Sequence, residues 1–277
     1  MTIKTESPRI DERARALRRA TLEAVLVFLM SYAILVTGMS LTLKIYDESL
    51  ILTGAMRVVA GQIPHQDFYA NYGPGQFYTI AGLFRLFGES ILVERLYDLF
   101  LKALIVTLVY KIVLSYCRRS IAIGTASVTV LWFFGLKEMA GNALIPVSLL
   151  NLVASILILP VFLRPASTKR MLAAGAVAGM TGLFRYDTGI ALLGIQASVV
   201  AIAIYLRVNG IRNRLRNFAS TFWPYPIGFA AVTLPALSNY LFPCSVSSIR
   251  LRHPDLSEQI LSSGSQSSLS RDSPERT

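Results

Sequence analysis

Two carboxylates stand side by side at Asp47-Glu48, just past an apolar run long enough to cross a bilayer. Adjacent acids at such an exit suit a reaction centre at the membrane surface. They equally suit a plain helix boundary, or the first turn of a following helix, where the dipole favours negative charge. Other charged groups carry the same double reading. Arg185 and Asp187, in "GLFRYDTGI", are a functional pair near a membrane or a local ion pair on a turn. Asp67, before Phe68, is a functional loop acid or simply a turn or helix cap. Glu94, Arg95 and Asp98 form a cluster that neutralises itself at the start of an apolar segment. His65 reads as an exposed loop residue rather than a ligand, and Cys117 and Cys244 have no metal-like spacing.

Deciding between these readings requires the elements that position the residues. The 277-residue chain is 53% hydrophobic and 16% charged, with a mean hydropathy of +0.53. Soluble domains are closer to a quarter charged, so the fold class is an all-α integral membrane protein. The net charge of +11 comes from short basic clusters between apolar runs. That distribution follows cytoplasmic loops and argues against nucleic acid as a partner.

Apolar runs predict about seven transmembrane helices, over 24–43, 97–116, 121–136, 144–163, 171–184, 190–206 and 222–242. With a basic cytoplasmic N-terminus over 1–20, Arg118-Arg119, then Arg164, Lys169 and Arg170, then Arg207, Arg212, Arg214 and Arg216 all fall on the cytoplasmic side. The short outer turns keep only Lys137 and Arg185, as the positive-inside rule requires. The polytopic domain spans 21–243, and a polar tail over 244–277 reads as disordered. The N-terminus lacks the form of a cleavable signal.

Counting crossings brings the charged groups together. The first outer loop, 44–90, carries Asp47, Glu48 and Asp67, and the tight turn between the fifth and sixth spans carries Arg185 and Asp187. All face the non-cytoplasmic side. Within the loop, Leu50, Ile51, Gly54, Ala55, Val58 and Val59 recur at helical spacing, as do Phe77, Ile80, Ala81, Phe84 and Phe87. Both segments predict amphipathic interfacial helices, joined by turns at Gly61-Gln62-Ile63-Pro64 and Tyr72-Gly73-Pro74-Gly75. Gly175 and Gly179 form a G-x-x-x-G that favours close helix packing. The Gly73-Pro74-Gly75 turn is no nucleotide loop, lacking the lysine and preceding strand that one needs.

The loop "YDES…GAMRVVAGQIPHQDFYANYGPGQFYTIAGLFRLFGESILVERL" resembles the first outer loop of the GT-C membrane glycosyltransferases. The matching features are Asp47-Glu48, Gly61, Pro64, Asp67-Phe68, Tyr72-Gly73-Pro74-Gly75, Tyr78, Phe87-Gly88, Ser90 and Arg95, and "GLFRYDTGI" is similar to a further family segment. The resemblance covers about residues 43–190 and extends to enzymes similar to the dolichyl-phosphate-mannose protein mannosyltransferases.

The resemblance implies transfer of a sugar from a polyprenyl-phosphate donor to an acceptor glycan, lipid or protein, on the outer face of a bacterial inner (plasma) membrane. Asp47 is then the expected base, because the acceptor hydroxyl must lose a proton. Glu48 is the expected orienter or, alternatively, a divalent-metal ligand. No other cofactor is implied. Arg185, with Asp187, is the expected partner of the donor phosphate, since a guanidinium fork binds two oxygens at once. Asp67, Tyr72, Tyr78 and Arg95 are the expected acceptor and loop residues. Family members continue well beyond this length, so the chain reads as an N-terminal part, truncated or frame-shifted after Phe242. The rival readings are a non-catalytic membrane fragment or assembly subunit and, behind it, a small transporter.

Overall fold

The computed structural model describes residues 10–41, 47–135, 142–163 and 167–241. Residues 1–9 and 42–46, Lys137, Arg164 and the tail over 244–277 lie outside the described residues, as does the side chain of Asp47. The described chain forms helices α1 (Ile10–Thr37), α2 (Asp47–Val59), α3 (Pro74–Phe87), α4 (Ile91–Tyr116), α5 (Arg119–Gly135) and α6 (Leu144–Ile158). A 3-10 turn (Leu159–Phe162) follows, then α7 (Thr168–Phe184), α8 (Tyr186–Arg207), α9 (Ile211–Phe222) and α10 (Pro224–Leu241). Among the described residues, an isolated bridge between Pro64 and Phe68 is the one β feature.

Four of these helices are long and apolar enough to cross a membrane: Arg18–Thr37 within α1, Ile91–Tyr116, Leu144–Phe162 and Tyr186–Arg207. The expected spans at 121–136 and 171–184 correspond to α5 and α7, each 17 residues long. At 1.5 Å per residue such a helix measures about 26 Å, short of a hydrocarbon core of about 30 Å. The span at 222–242 corresponds to α10, which carries Pro235 in its interior.

Polarity is distributed as lipid requires. Leu22, Leu26, Leu29 and Met30 of α1, Val128, Leu131 and Trp132 of α5, and Ile190 and Ile195 of α8 are exposed. Glu48, Glu94, Arg95, Asp98, Lys102, Thr181 and Gln196 are buried. A soluble protein would reverse that arrangement.

Two helix bundles are joined through α4 and α6. In one, α1, α4 and α5 enclose Leu35, Leu99, Ala103, Val106, Ala126 and Val130. In the other, α6 to α10 pack around Ala154, Met171, Ala174, Ala178, Val200 and Tyr225. The G-x-x-x-G of α7 acts as its spacing predicts. A Cβ on Gly175 would overlap the Tyr225 carbonyl, and one on Gly179 would press on the Phe229 carbonyl.

The first loop folds as its two periodicities predict, with one difference. The apolar faces of α2 and α3 bury against each other through Ile51, Ala55, Val58, Phe77, Ile80, Ala81 and Phe84. Phe77 meets Phe68 edge-on at 5.8 Å, and the Arg57 guanidinium lies 5.3 Å over the Phe68 ring. Two amphipathic helices in one loop can satisfy each other before either satisfies lipid.

Two boundaries differ from expectation. Helix α1 begins at Ile10, well inside the segment read as a basic tail. Helix α4 begins at Ile91 rather than at Tyr97, because Ser90 caps it by accepting a hydrogen bond from the Leu92 amide at 3.2 Å. Glu94, Arg95 and Asp98 are therefore helical. The arginine-rich segment after α8 is also ordered, as the amphipathic α9.

Candidate functional site

Helices α7 and α8 meet at a single extended residue, Arg185, which caps the end of one and the start of the other. So abrupt a reversal needs the two backbones to touch, and Gly182 against Gly189 supplies that: a Cβ on Gly189 would meet the Gly182 backbone at 2.5 Å. Asp187 falls in the first turn of α8, where the helix dipole favours it. Its carboxylate accepts two hydrogen bonds from Arg185, from Nε at 3.2 Å and from a terminal nitrogen at 2.7 Å. The local ion pair of the sequence reading is present and bidentate, with Arg185 held in one orientation by Asp187.

The Tyr72-Gly73-Pro74-Gly75 turn docks on this reversal. The Gly73 amide donates to the Phe184 carbonyl at 3.0 Å. A Cβ on Gly73 would overlap the neighbouring Leu183 carbonyl, so glycine is required for approach and not for backbone angle, its φ being −63°. Pro74 opens α3 at a position that has no helical use for an N–H.

His65 completes the junction. Asp67 Oδ2 accepts from the Ile63 amide at 2.7 Å, and the Asp67 amide donates to the Ile63 carbonyl at 2.9 Å. The tight turn they close holds His65 at a φ of 65°, the one non-glycine positive φ among the described residues. From there its Nε2 lies 3.2 Å from both the Tyr72 carbonyl and the Tyr186 hydroxyl. The first loop and the Arg185 turn therefore sit at one end of the molecule, joined through residues 121 positions apart in sequence. His65 is the exposed loop residue the sequence suggests, and its bridge to Tyr186 has no sequence signal in one histidine and one distant tyrosine.

Glu48 faces another way. Its carboxylate pairs with the Arg95 guanidinium at 2.5 Å, and Arg95 also lies 3.4 Å from Glu94. One helical turn further along α4, Asp98 pairs with Lys102 at 2.6 Å. These five charged side chains are buried, and four of them belong to a helix long enough to span a membrane. Lys102 is absent from the sequence-based site, although an aspartate and a lysine four residues apart inside an apolar run signal a paired intramembrane charge. Arg95, Asp98 and Lys102 line a cavity of about 30 Å³ with Leu35, Gly38, Met39, Phe133 and Phe134, room for water and little else.

The predicted site residues thus fall into separate places. Asp67 and Tyr72 belong to the junction with Tyr186. Tyr78 lines a cleft of about 250 Å³ between the end of α2 and α3, with Gln62, Ile63 and Arg85. Burial, then the charge of Asp67, push the Tyr78 hydroxyl above the ordinary tyrosine range. Arg95 lies with Glu48 in the buried cluster. Asp47 opens α2 beside Glu48, with its side chain outside the described residues.

The carboxylate of Glu48 is taken by Arg95, and among the described residues no group of three or more histidine, cysteine, aspartate or glutamate side chains is placed to hold a metal. No family model, no curated protein and no solved structure matches the chain.

Proposed function

We propose that the chain is a GT-C-type glycosyltransferase, or the N-terminal part of one, which moves a sugar from a polyprenyl-phosphate donor to an acceptor on the non-cytoplasmic membrane face. The observation that carries this reading is the junction of the first loop with the Arg185 turn. It puts an acidic loop and an oriented guanidinium at one end of an apolar helical molecule, as transfer from a lipid-linked phosphate requires. In this reading α5, α7 and α10 cross the membrane with the four longer helices, and the N-terminus is cytoplasmic.

The roles follow from chemistry. Asp47 takes the proton of the acceptor hydroxyl, while Glu48, anchored by Arg95, fixes the first turn of α2 beneath it. Arg185 meets the departing phosphate, where charge develops in the transition state, and Asp187 holds its fork in place. Tyr78 and the cleft it lines receive the acceptor.

The test is transfer of a labelled sugar from a polyprenyl-phosphate donor in membranes containing the chain. Activity should fall by about 10²-fold or more in Asp47→Asn. Unchanged transfer in that variant removes Asp47 from the base role. If the wild-type chain transfers nothing from any polyprenyl-phosphate sugar, the non-catalytic subunit reading takes its place.

A further inference from the structure

Helix α9 follows α8 after three residues and ranks among the most polar helices of the described chain, yet it carries an unbroken apolar stripe. Ile211, Leu215, Phe218 and Phe222 recur at helical spacing on one face. The second half of that stripe is satisfied within the molecule: Phe218 stacks on Phe222 at 5.3 Å, and Phe222 on the buried Tyr225 at 5.0 Å. The first half is not. Ile211 and Leu215 are exposed, as is Trp223 just beyond the helix.

The arginines divide in the same way. Arg214 is used internally, donating from Nε to the Val208 carbonyl at 2.6 Å and lying 4.0 Å over the Tyr205 ring. It fixes the angle between α8 and α9. Arg212 and Arg216 are exposed, each one residue beyond an exposed apolar residue, and neither has a partner among the described residues. Arg207, the last residue of α8, is exposed as well.

We infer that α9 lies in the plane of the bilayer surface and binds anionic phospholipid headgroups through Arg207, Arg212 and Arg216, with Ile211, Leu215 and Trp223 inserted among the acyl chains. The position allows little else. Helix α8 is long and apolar enough to span, so α9 starts where α8 leaves the lipid. A helix with exposed apolar residues flanked by exposed cations matches an interface of acyl chains below and phosphates above. Each such cation is attracted to an anionic leaflet within a Debye length of it, and salt screens that attraction. Tyr205 and Trp223, both exposed, flank the segment, as interfacial aromatics do.

The inference is independent of sugar transfer, and its test reads lipid contact directly. Trp132 and Trp223 are the two tryptophans of the chain, so Trp132→Phe leaves Trp223 as the only fluorophore of its kind. The full chain in nanodiscs of mixed phosphatidylcholine and phosphatidylglycerol is compared with bromine on the acyl chains of one lipid or the other. At equal mole fraction, brominated phosphatidylglycerol should quench Trp223 severalfold more strongly, and added salt should weaken that preference. R212Q/R216Q, which spares Arg214, should abolish the preference while leaving the melting temperature in detergent unchanged. Leu215→Gln should reduce quenching by both lipids. Equal quenching by the two lipids in the wild-type chain, a preference that survives R212Q/R216Q, or a Trp223 shielded from both lipids would each overturn the inference.

Discussion

Two arginine–carboxylate pairs flank the first loop, and their surroundings make them different objects. Arg95 and Glu48 are 5% and 1% exposed, whereas Arg185 and Asp187 are 27% and 66% exposed. A buried pair is a commitment of the fold, because removing one partner strands the other charge away from water. An exposed pair contributes little to stability, since water and salt screen it. The same two side-chain types therefore anchor α2 to α4 in one place and present an oriented guanidinium in the other. A functional reading belongs to the pair whose loss the fold can survive.

The comparison is broken most severely at the buried pair. Arg95→Ala or Glu48→Ala should destabilise the protein by about 3–5 kcal/mol, read by denaturant titration in detergent. Replacing both with apolar residues of similar size, Glu48→Leu with Arg95→Met, should restore most of that loss. If the single substitutions are neutral, the pair is not structural.

Gly73→Val comes next. The new side chain would collide with the Leu183 carbonyl and lift the first loop off the α7–α8 reversal, at a cost of about 1–3 kcal/mol. It should also free Tyr186 from His65, seen as a changed ring environment of His65 by NMR. Arg185→Ala should cost only about 0–1 kcal/mol of stability yet abolish sugar transfer. That split between folding and activity is what separates it from Arg95.

The smallest effect concerns Tyr78. Because burial and the Asp67 charge both push its ionisation to higher pH, the neutral phenol is the favoured form in the folded protein. Its contribution to stability is complete below the ordinary tyrosine range and is lost as the pH rises through the shifted value. Asp67→Asn should move the Tyr78 titration downward, measured by carbon NMR of labelled tyrosine with Tyr78→Phe for assignment. An unchanged titration would place Asp67 too far away to matter.

What the sequence made legible was whatever repeats. The spacing of Ile51, Ala55 and Val58, and of Phe77, Ile80 and Phe84, predicts α2 and α3, which pack on each other through those residues. What it hid depends on single contacts between distant residues. His65 reaches Tyr186 only because Asp67 closes a turn that holds it at a positive φ. Glu48 faces Arg95 because α4 starts at the Ser90 cap, six residues before the apolar run predicts. Lys102 is concealed by the apolar residues on either side of it, and α9 by its arginines, which read as a loop although Ile211, Leu215, Phe218 and Phe222 already hold a helical period.

The account depends most on the first loop and the Arg185 turn forming one site on one side of the membrane. In a chain with Cys117 and Cys244 replaced by serine, His65→Cys and Tyr186→Cys can be treated with a short, membrane-impermeant bifunctional thiol reagent applied to one face of oriented membranes. Bridging of the two positions from the non-cytoplasmic face alone is the result expected. Labelling of the two cysteines from opposite faces, or no bridge in a folded protein, would contradict it.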